Sequence, residues 1–262
     1  VKLVITDWAE RMGSDSLLDD CTAPVNPHDP EAGMRRFKIG REVWIERTDY
    51  EDVQPKGFFR LFPGNKVRLK YGHTIVCTGA TRDADGKLVE VQATLMPDTK
   101  SGTPGADAVK VKGNITWVAV ADAVPVEVRL YERLFTTEQP GSGELLDELN
   151  KASLVTCSAF AEPSLSVAQV GGVGFQFERH GYFVVDAKAS HDGKLVFNRA
   201  AGMRDGREKQ AAHYGSAHGE TPTPGRTARA RVRGAASKGR AALTDLTSST
   251  FTADALASTN AN

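Results

Sequence analysis

Apolar and polar residues alternate in short runs along the first four-fifths of the chain. This is the signature of strands with one face buried. Val1–Thr6 sets Val1, Leu3 and Ile5 against Lys2, Val4 and Thr6. Gly40–Arg47 sets Val43 and Ile45 against Glu42, Trp44 and Glu46. In Pro125–Phe135, Val126, Val128 and Leu130 alternate with Glu127, Arg129 and Tyr131. Three dipeptides that tolerate positive φ sit between such runs and predict tight hairpins. They are Asp85-Gly86 between Thr74–Thr81 and Lys87–Leu95, Gly113-Asn114 between Val109–Lys112 and Ile115–Val120, and Asp192-Gly193 between Phe183–Ala189 and Lys194–Asn198. The pattern predicts one helix, Ser142 to Leu149, with Ser142 as N-cap and Leu145, Leu146 and Leu149 on one face. Short strands with turn signals roughly every 8–12 residues imply barrels or sandwiches. No strand–helix–strand alternation suggests a parallel nucleotide-binding sheet. Pattern alone leaves one sandwich or two small barrels open.

Two stretches carry candidate chemistry. In Gly57–Tyr71, written GFFRLFPGNKVRLKY, a three-residue loop at Pro63-Gly64-Asn65 would pair Phe62 with Lys66, Arg60 with Arg68 and Phe58 with Lys70. One face would then hold four cations beside two phenylalanines, and the other Leu61, Val67 and Leu69. Like charges across a strand pair repel, and an RNA phosphate or base edge would relieve them. Arginine's planar fork fits both, and aromatic rings stack on unpaired bases. A solvated face with splayed side chains is the competing reading. In Phe175–Phe183, Phe175 and Phe177 face one way and Gln176 and Glu178 the other, with a turn at Arg179-His180-Gly181. The Gln176 amide both donates and accepts, as a base-reading group must.

Composition adds limits. The 262 residues balance 33 Lys/Arg against 33 Asp/Glu. From Gly206 onward there are eight basic and four acidic residues, so residues 1–205 carry a net charge of −4. RNA binding by that body would need a local cluster, not an overall field. Residues 206–262 are rich in Ala, Gly, Arg, Ser, Thr and Pro. They predict a disordered basic tail or linker, with a short helix near Ala253–Ala257 and a basic arm at Arg226–Arg240. Cys21, Cys77 and Cys157 are sparse and unpaired by any CxxC, as in reduced cytosolic proteins. Phosphate-loop, nucleophile-elbow, HExxH and DFG motifs are all missing, and the six histidines do not cluster at metal spacing. Gly171-Gly172-Val173-Gly174 precedes a strand, not a helix, and reads as a loop. No run is long enough to span a membrane. The chain opens on Val1, so a fragment or processed product is expected.

The ordered motifs VKLVI, PEAGMRRF, GREVWIERTDY, GFFRLFPGNKVRLKY, KVKGNITWV, PVEVRLYERLF, SLVTCSAFAEPSL, FQFERHGYF and VFNRAAGMRD run from Val1 to Asp205. They resemble the C-terminal anticodon-binding region of glutaminyl-tRNA synthetase, a class I enzyme. The FQFERxGYF and VFNR stretches favour it over the related eukaryotic/archaeal-type glutamyl-tRNA synthetase. The resemblance implies two antiparallel six-stranded β-barrels of the ribosomal protein L25-like type. One would span 1–120, completed by about 185–205, and the other 121–184, with 206–262 as the tail. It implies that the tRNA-Gln anticodon loop is the partner, its three bases unstacked into separate pockets. Arg60 would meet the third base, a guanine. Arg68 and Lys70 would serve the first base, one of them through phosphate. Gln176 would read the middle uracil, with Arg179 beside it.

The departures matter. A lysine stands at Lys70 where a bacterial form has arginine, and Gly57 and Phe59 replace polar or basic residues near the third base. The arginine that helps read the middle base, and the HIGH-like and KMSKS-like ATP-handling motifs, would lie upstream of Val1. The resemblance therefore implies a cytoplasmic, monomeric region with no cofactor and no catalysis of its own. ATP would belong to the missing catalytic domain. A protein-interaction β-barrel module is the alternative.

Overall fold

The computed structural model describes residues 1–168, 170–172, 174–203, 246–249 and 251–253, and most of their regular structure is strand. The chain begins with β1 (Lys2–Ile5), a one-turn helix α1 (Trp8–Met12), the hairpin of β2 (Asp19–Asn26) and β3 (Asp29–Ile39), and β4 (Glu42–Trp44). A 3-10 turn at Arg47–Asp49 leads towards β5 (Lys66–Leu69), β6 (Thr74–Arg82), β7 (Leu88–Leu95), β8 (Gly113–Ile115) and β9 (Val118–Ala119). Then follow β10 (Val124–Tyr131), β11 (Leu154–Ala161), a 3-10 turn at Pro163–Val167, β12 (Gly174–Phe177), β13 (Gly181–Val185) and β14 (Leu195–Ala201). β15 (Leu246–Ser249) and β16 (Phe251–Ala253) end the described chain.

Two curled seven-stranded sheets result, ordered β8-β5-β6-β7-β1-β4-β9 and β15-β12-β13-β14-β10-β11-β16, with β2-β3 as a separate ribbon. The two sheets share one plan. Each has a parallel pair at its centre, β1 with β7 and β10 with β14, and another at one edge, β5 with β8 and β12 with β15. The other pairings are antiparallel. In both sheets the two edge strands are consecutive in the chain, so one stretch of backbone covers both exposed ladders. Unpaired edges template aggregation, and covering them removes that hazard.

Each sheet curls over its own core. Leu3, Ile5, Ile39, Val43, Ile45, Leu61, Val67, Leu69 and Ile75 are fully buried in the first, with Trp8 delivered by α1. The Trp8 indole N–H donates to Leu17 O at 2.9 Å, which satisfies the ring's polar end. Gly13 stops α1 in the left-handed conformation, φ 97°. The second core is aromatic. Phe177 stacks on Phe183 at 4.4 Å between ring centres, and Phe197 meets Phe177 edge-on at 5.2 Å. Val126 and Val128 are buried beneath them, on the apolar face read from Pro125–Phe135.

Several expectations are realised. β6 and β7 pair across the Asp85-Gly86 turn, with Gly86 at φ 77°, and β13 and β14 pair across a turn closed at His191–Lys194, with Gly193 at φ 78°. β12 and β13 flank the turn at residues 178–180, with Phe175 opposite Phe183 and Gln176 opposite Tyr182.

Others are corrected. The sheets are mixed rather than wholly antiparallel. The 57–71 hairpin does not form: residues 57–62 make no strand, and Leu61 bridges Tyr50 while β5 pairs with β6 and β8. The Pro63-Gly64-Asn65 turn exists, with Gly64 at φ 87°, but Arg68 lies opposite Thr74 rather than Arg60. Gly113-Asn114 is no turn; it lies within β8. A side chain at Gly113 would place Cβ 1.9 Å from Phe59 O, so glycine is there for close approach. Ser142–Leu149 forms no helix. The Glu148 carboxylate accepts from Gly141 N and Gly143 N and curls the segment on itself, leaving Leu145 and Leu146 exposed. So short a run cannot offset the cost of helix nucleation without a packed face. β14, expected to complete the first unit, lies in the second sheet, because Val196 and Phe197 fill the second core. Of the 206–262 tail, β15 and β16 pair with β12 and β11. The Arg226–Arg240 arm and residues 254–257 lie outside the described residues.

Candidate nucleic-acid interface

The seam between the two sheets gathers the charged residues. The turn between β12 and β13 carries Arg179 with φ 69°, a left-handed conformation that a non-glycine residue adopts at some cost. From there its guanidinium reaches the 3-10 turn after β4. Nη1 donates to Asp49 Oδ1 at 2.7 Å and Nη2 to Asp49 Oδ2 at 3.0 Å. Nη2 also lies 3.2 Å from Thr116 Oγ1 and 3.0 Å from Glu46 Oε1. The neighbouring His180 Nε2 is 2.6 Å from the same Glu46 oxygen. Arg60 enters from the other side: its Nη1 lies 3.2 Å from Asp49 Oδ1 and donates to Thr48 O.

Burial decides the titration of these acids only in part. It dominates at Asp49 and raises that carboxyl above its ordinary value, against the pull of Arg179 and Arg60. Both Asp49 oxygens nonetheless accept from guanidinium groups, which do not give up their protons, so the contact is ionic. Burial also pushes the Glu46 carboxyl up, but His180 and Arg179 together pull harder, and it lies below the usual carboxylate range.

Lys70 joins the same seam. Its ammonium sits 2.6 Å from both carboxylate oxygens of Glu178, in the β12–β13 turn, and 5.2 Å from the Tyr71 ring centre. Gln176 is half-buried on the strand entering that turn, and its amide makes no hydrogen bond with the described residues. Arg68 stands apart: Nη1 donates to Thr99 O and Nη2 to Ala106 O, clamping the 99–106 loop. The structure thus brings Arg60, Lys70 and Arg179 together with the Gln176 strand and leaves Arg68 as a loop tie.

Beside Arg60 opens a cleft of about 350 Å³, lined by Phe58, Phe59, Arg60, Lys112 and Asn114 over Gly57 and Gly113. Lys112 lies 5.2 Å from the Phe59 ring centre, and Arg60 lies 6.0 Å from that of Phe58. Aromatic walls, two cations and an amide are what an unstacked base with its phosphate requires. The pattern of alternation did not reveal Asp49, Glu46, Glu178 or Lys112 as parts of the site, since their partners are distant in sequence. Among the described residues no group of three or more His, Cys, Asp or Glu side chains is placed to hold a metal.

Two more contacts fix the seam. Trp44 stacks on Phe160 at 4.7 Å and 6° between planes. Arg35 Nε donates to both oxygens of Glu162, at 2.8 and 3.1 Å, with both side chains buried.

Residues 1–96 and 114–186 match two families, each described as the anticodon-binding domain of class I tRNA synthetases (E and Q). Together they span well over half of the chain, which belongs to this family of anticodon-binding domains. Within it, several similar proteins are glutamine–tRNA ligases. That of Ralstonia nicotianae is 57% identical over 189 residues, covering 71% of this chain and 32% of the relative. Those of Cupriavidus taiwanensis and Bordetella pertussis are 53% identical over 207 residues, 78% of this chain and 34% of each relative. The shared region is the anticodon-binding part of glutamine–tRNA ligase. The chain spans about a third of the length of these relatives.

Proposed function

We propose that this chain reads the anticodon of tRNA-Gln at the seam between its two sheets. The observation that carries the reading is the convergence of Arg60, from the first sheet's side, and Arg179, from the second's, on one buried carboxylate beside an aromatic, cationic cleft. Arg60 presents its fork to the third base, in the cleft walled by Phe58 and Phe59. Gln176, whose amide is unengaged among the described residues, and Arg179 read the middle base. Lys70 and Arg68 serve the first. Lys70 exchanges Glu178 for phosphate, and Arg68 acts through the loop it holds. The shared strand plan of the two sheets, with one backbone stretch covering both edges of each, supports two six-stranded barrels once each divided edge stretch is counted as one strand.

Joining glutamine to tRNA with ATP belongs to the part of the relatives that this chain does not span, in a cytoplasmic, monomeric ligase. The test is titration of the 262-residue chain with anticodon stem-loops. A CUG or UUG loop is expected to bind more tightly than one with a changed middle base, and Arg60→Ala to cost about 1–3 kcal/mol with selection relaxed at one base. Equal affinity for all loops would overturn the reading.

A further inference from the structure

The seam contains one group that both base-facing arginines touch but that RNA cannot reach. The Asp49 side chain is fully buried, at 0% exposure, while Arg60 and Arg179 are about a third exposed. We infer that Asp49 is a positioning residue that sets the forks of Arg60 and Arg179 for two neighbouring bases, so that one carboxylate governs selection at both. The inference rests on the anticodon-reading function proposed above.

The geometry supports this in three ways. The carboxylate does not wander: the Asp49 N–H donates to Glu46 O and its carbonyl accepts from Leu61 N, both at 2.9 Å. The second of those bonds anchors the residue next to Arg60, so backbone and side chain of Asp49 hold Arg60 from two points. Arg179 is held more tightly still. Its left-handed backbone aims the side chain at the seam, and the bidentate pair with Asp49 fixes both the distance and the plane of the guanidinium. Asp49 Oδ1 serves both arginines, which puts their Nη1 atoms against a single oxygen. Among the described residues the contacts of Arg60 run through Nη1 and use neither Nε nor Nη2, so a donor edge remains for an acceptor on a base. A preorganised fork discriminates because a wrong base leaves its donors unpaired.

A tie that merely joined the two sheets would behave differently. Its loss would weaken binding to every RNA by the same factor and leave the ratio between right and wrong bases alone. The test is therefore the ratio. The full chain and Asp49→Asn are titrated with stem-loops altered at the middle or the third anticodon base, and thermal melts verify folding. Asn keeps the volume but turns one acceptor into a donor facing guanidinium N–H groups. Discrimination is expected to fall on the order of tenfold at both bases together. Arg60→Ala should lower it only at the third and Arg179→Ala only at the middle. Adding Arg60→Ala to Asp49→Asn should then cost little more at the third base. Should Asp49→Asn not fold, Asp49→Glu keeps the charge but displaces it by one methylene, and the same joint loss is expected. A wild-type chain that binds all loops alike overturns this inference along with the proposed function. A selective wild type with an equally selective, folded Asp49 variant overturns the inference alone, as does a uniform loss with an unchanged ratio.

Discussion

Glu162→Gln isolates the chemistry that holds the seam together. Arg35 leaves β3 and meets Glu162 just after β11, with side-chain exposures of 6% and 3%. Besides the two bonds from Nε, the Arg35 Nη1 donates to Pro24 O at 2.6 Å and Ser164 Oγ donates to Glu162 at 2.9 Å. The guanidinium also lies 5.8 and 5.7 Å from the ring centres of Phe37 and Tyr71. Neutralising the carboxylate leaves a buried cation with no counter-charge. Breaking such a pair from one side costs about 3–5 kcal/mol. At about 2–4 °C per kcal/mol for a chain of this size, Tm should fall on the order of 10 °C.

The pair is not expected to be a net stabiliser against an apolar alternative. Arg35 Nη2 is buried without a hydrogen-bond partner, so desolvation of the ion pair is only partly offset. Replacing both residues, Arg35→Met with Glu162→Leu, should recover most of the stability lost in Glu162→Gln. Urea unfolding of wild type, Arg35→Met, Glu162→Leu and the double variant, read by Trp fluorescence, closes the cycle. A Glu162→Gln protein within about 1 kcal/mol of wild type, or a double variant no better than the single, would refute this account of the seam.

Three further outcomes follow from particular contacts. Gly113→Ala should cost about 1–3 kcal/mol of stability, read as a lower urea midpoint, and weaken stem-loop binding, since Cβ would meet Phe59 O and Val67; an unchanged midpoint contradicts the close approach. Glu178→Gln should release Lys70 and tighten binding to matched and mismatched loops alike, so a gain confined to the matched loop would count against that role for Glu178. The Asp186 carboxylate, held by the Ala189 N–H, the Asn198 amide and the Lys188 N–H, is lowered to about 2. Its contribution to stability is present above the unfolded value and lost as pH falls towards 2. The gap in urea midpoint between wild type and Asp186→Asn should therefore be open at neutral pH and close in strong acid, and a gap constant with pH would be inconsistent with the lowered value.

Local alternation was enough to reveal faces but not partners. Val126 and Val128 point inward as their spacing predicts, and Asp85-Gly86 turns the chain because its conformational preference is local. Pro63-Gly64-Asn65 is equally a turn, but a turn does not choose its strand. Phe59 stays with Gly113 because a residue without a side chain lies about fifty positions away, and nothing near Phe59 announces it. Gly113-Asn114 then misleads in the opposite sense, since glycine for φ and glycine for proximity look alike in a sequence. The cations of the site were legible as cations. Their carboxylates were not: Lys70 and Glu178 are 108 residues apart, and Arg179 and Asp49 are 130 apart. No periodicity connects such pairs, and only the docking of one sheet against the other brings them together.

That pairing bears on how a mildly acidic body could select RNA. Free lysines and arginines on a surface attract any polyanion, and the attraction carries no sequence information. Here Lys70 begins on Glu178, while Arg60 and Arg179 begin on Asp49. If Lys70 takes RNA phosphate as proposed, an arbitrary RNA must first displace Glu178, so that contact is nearly an exchange of one anion for another. The Asp49 contact of Arg60 needs no displacement, because it occupies Nη1 and leaves the Nε and Nη2 edge for a base. On the proposed reading, the arrangement would discount phosphate and preserve base contact, which is the balance that favours discrimination over raw affinity. A negative net charge is therefore compatible with the proposed selectivity. The internal carboxylates that make residues 1–205 acidic include the groups that aim its arginines.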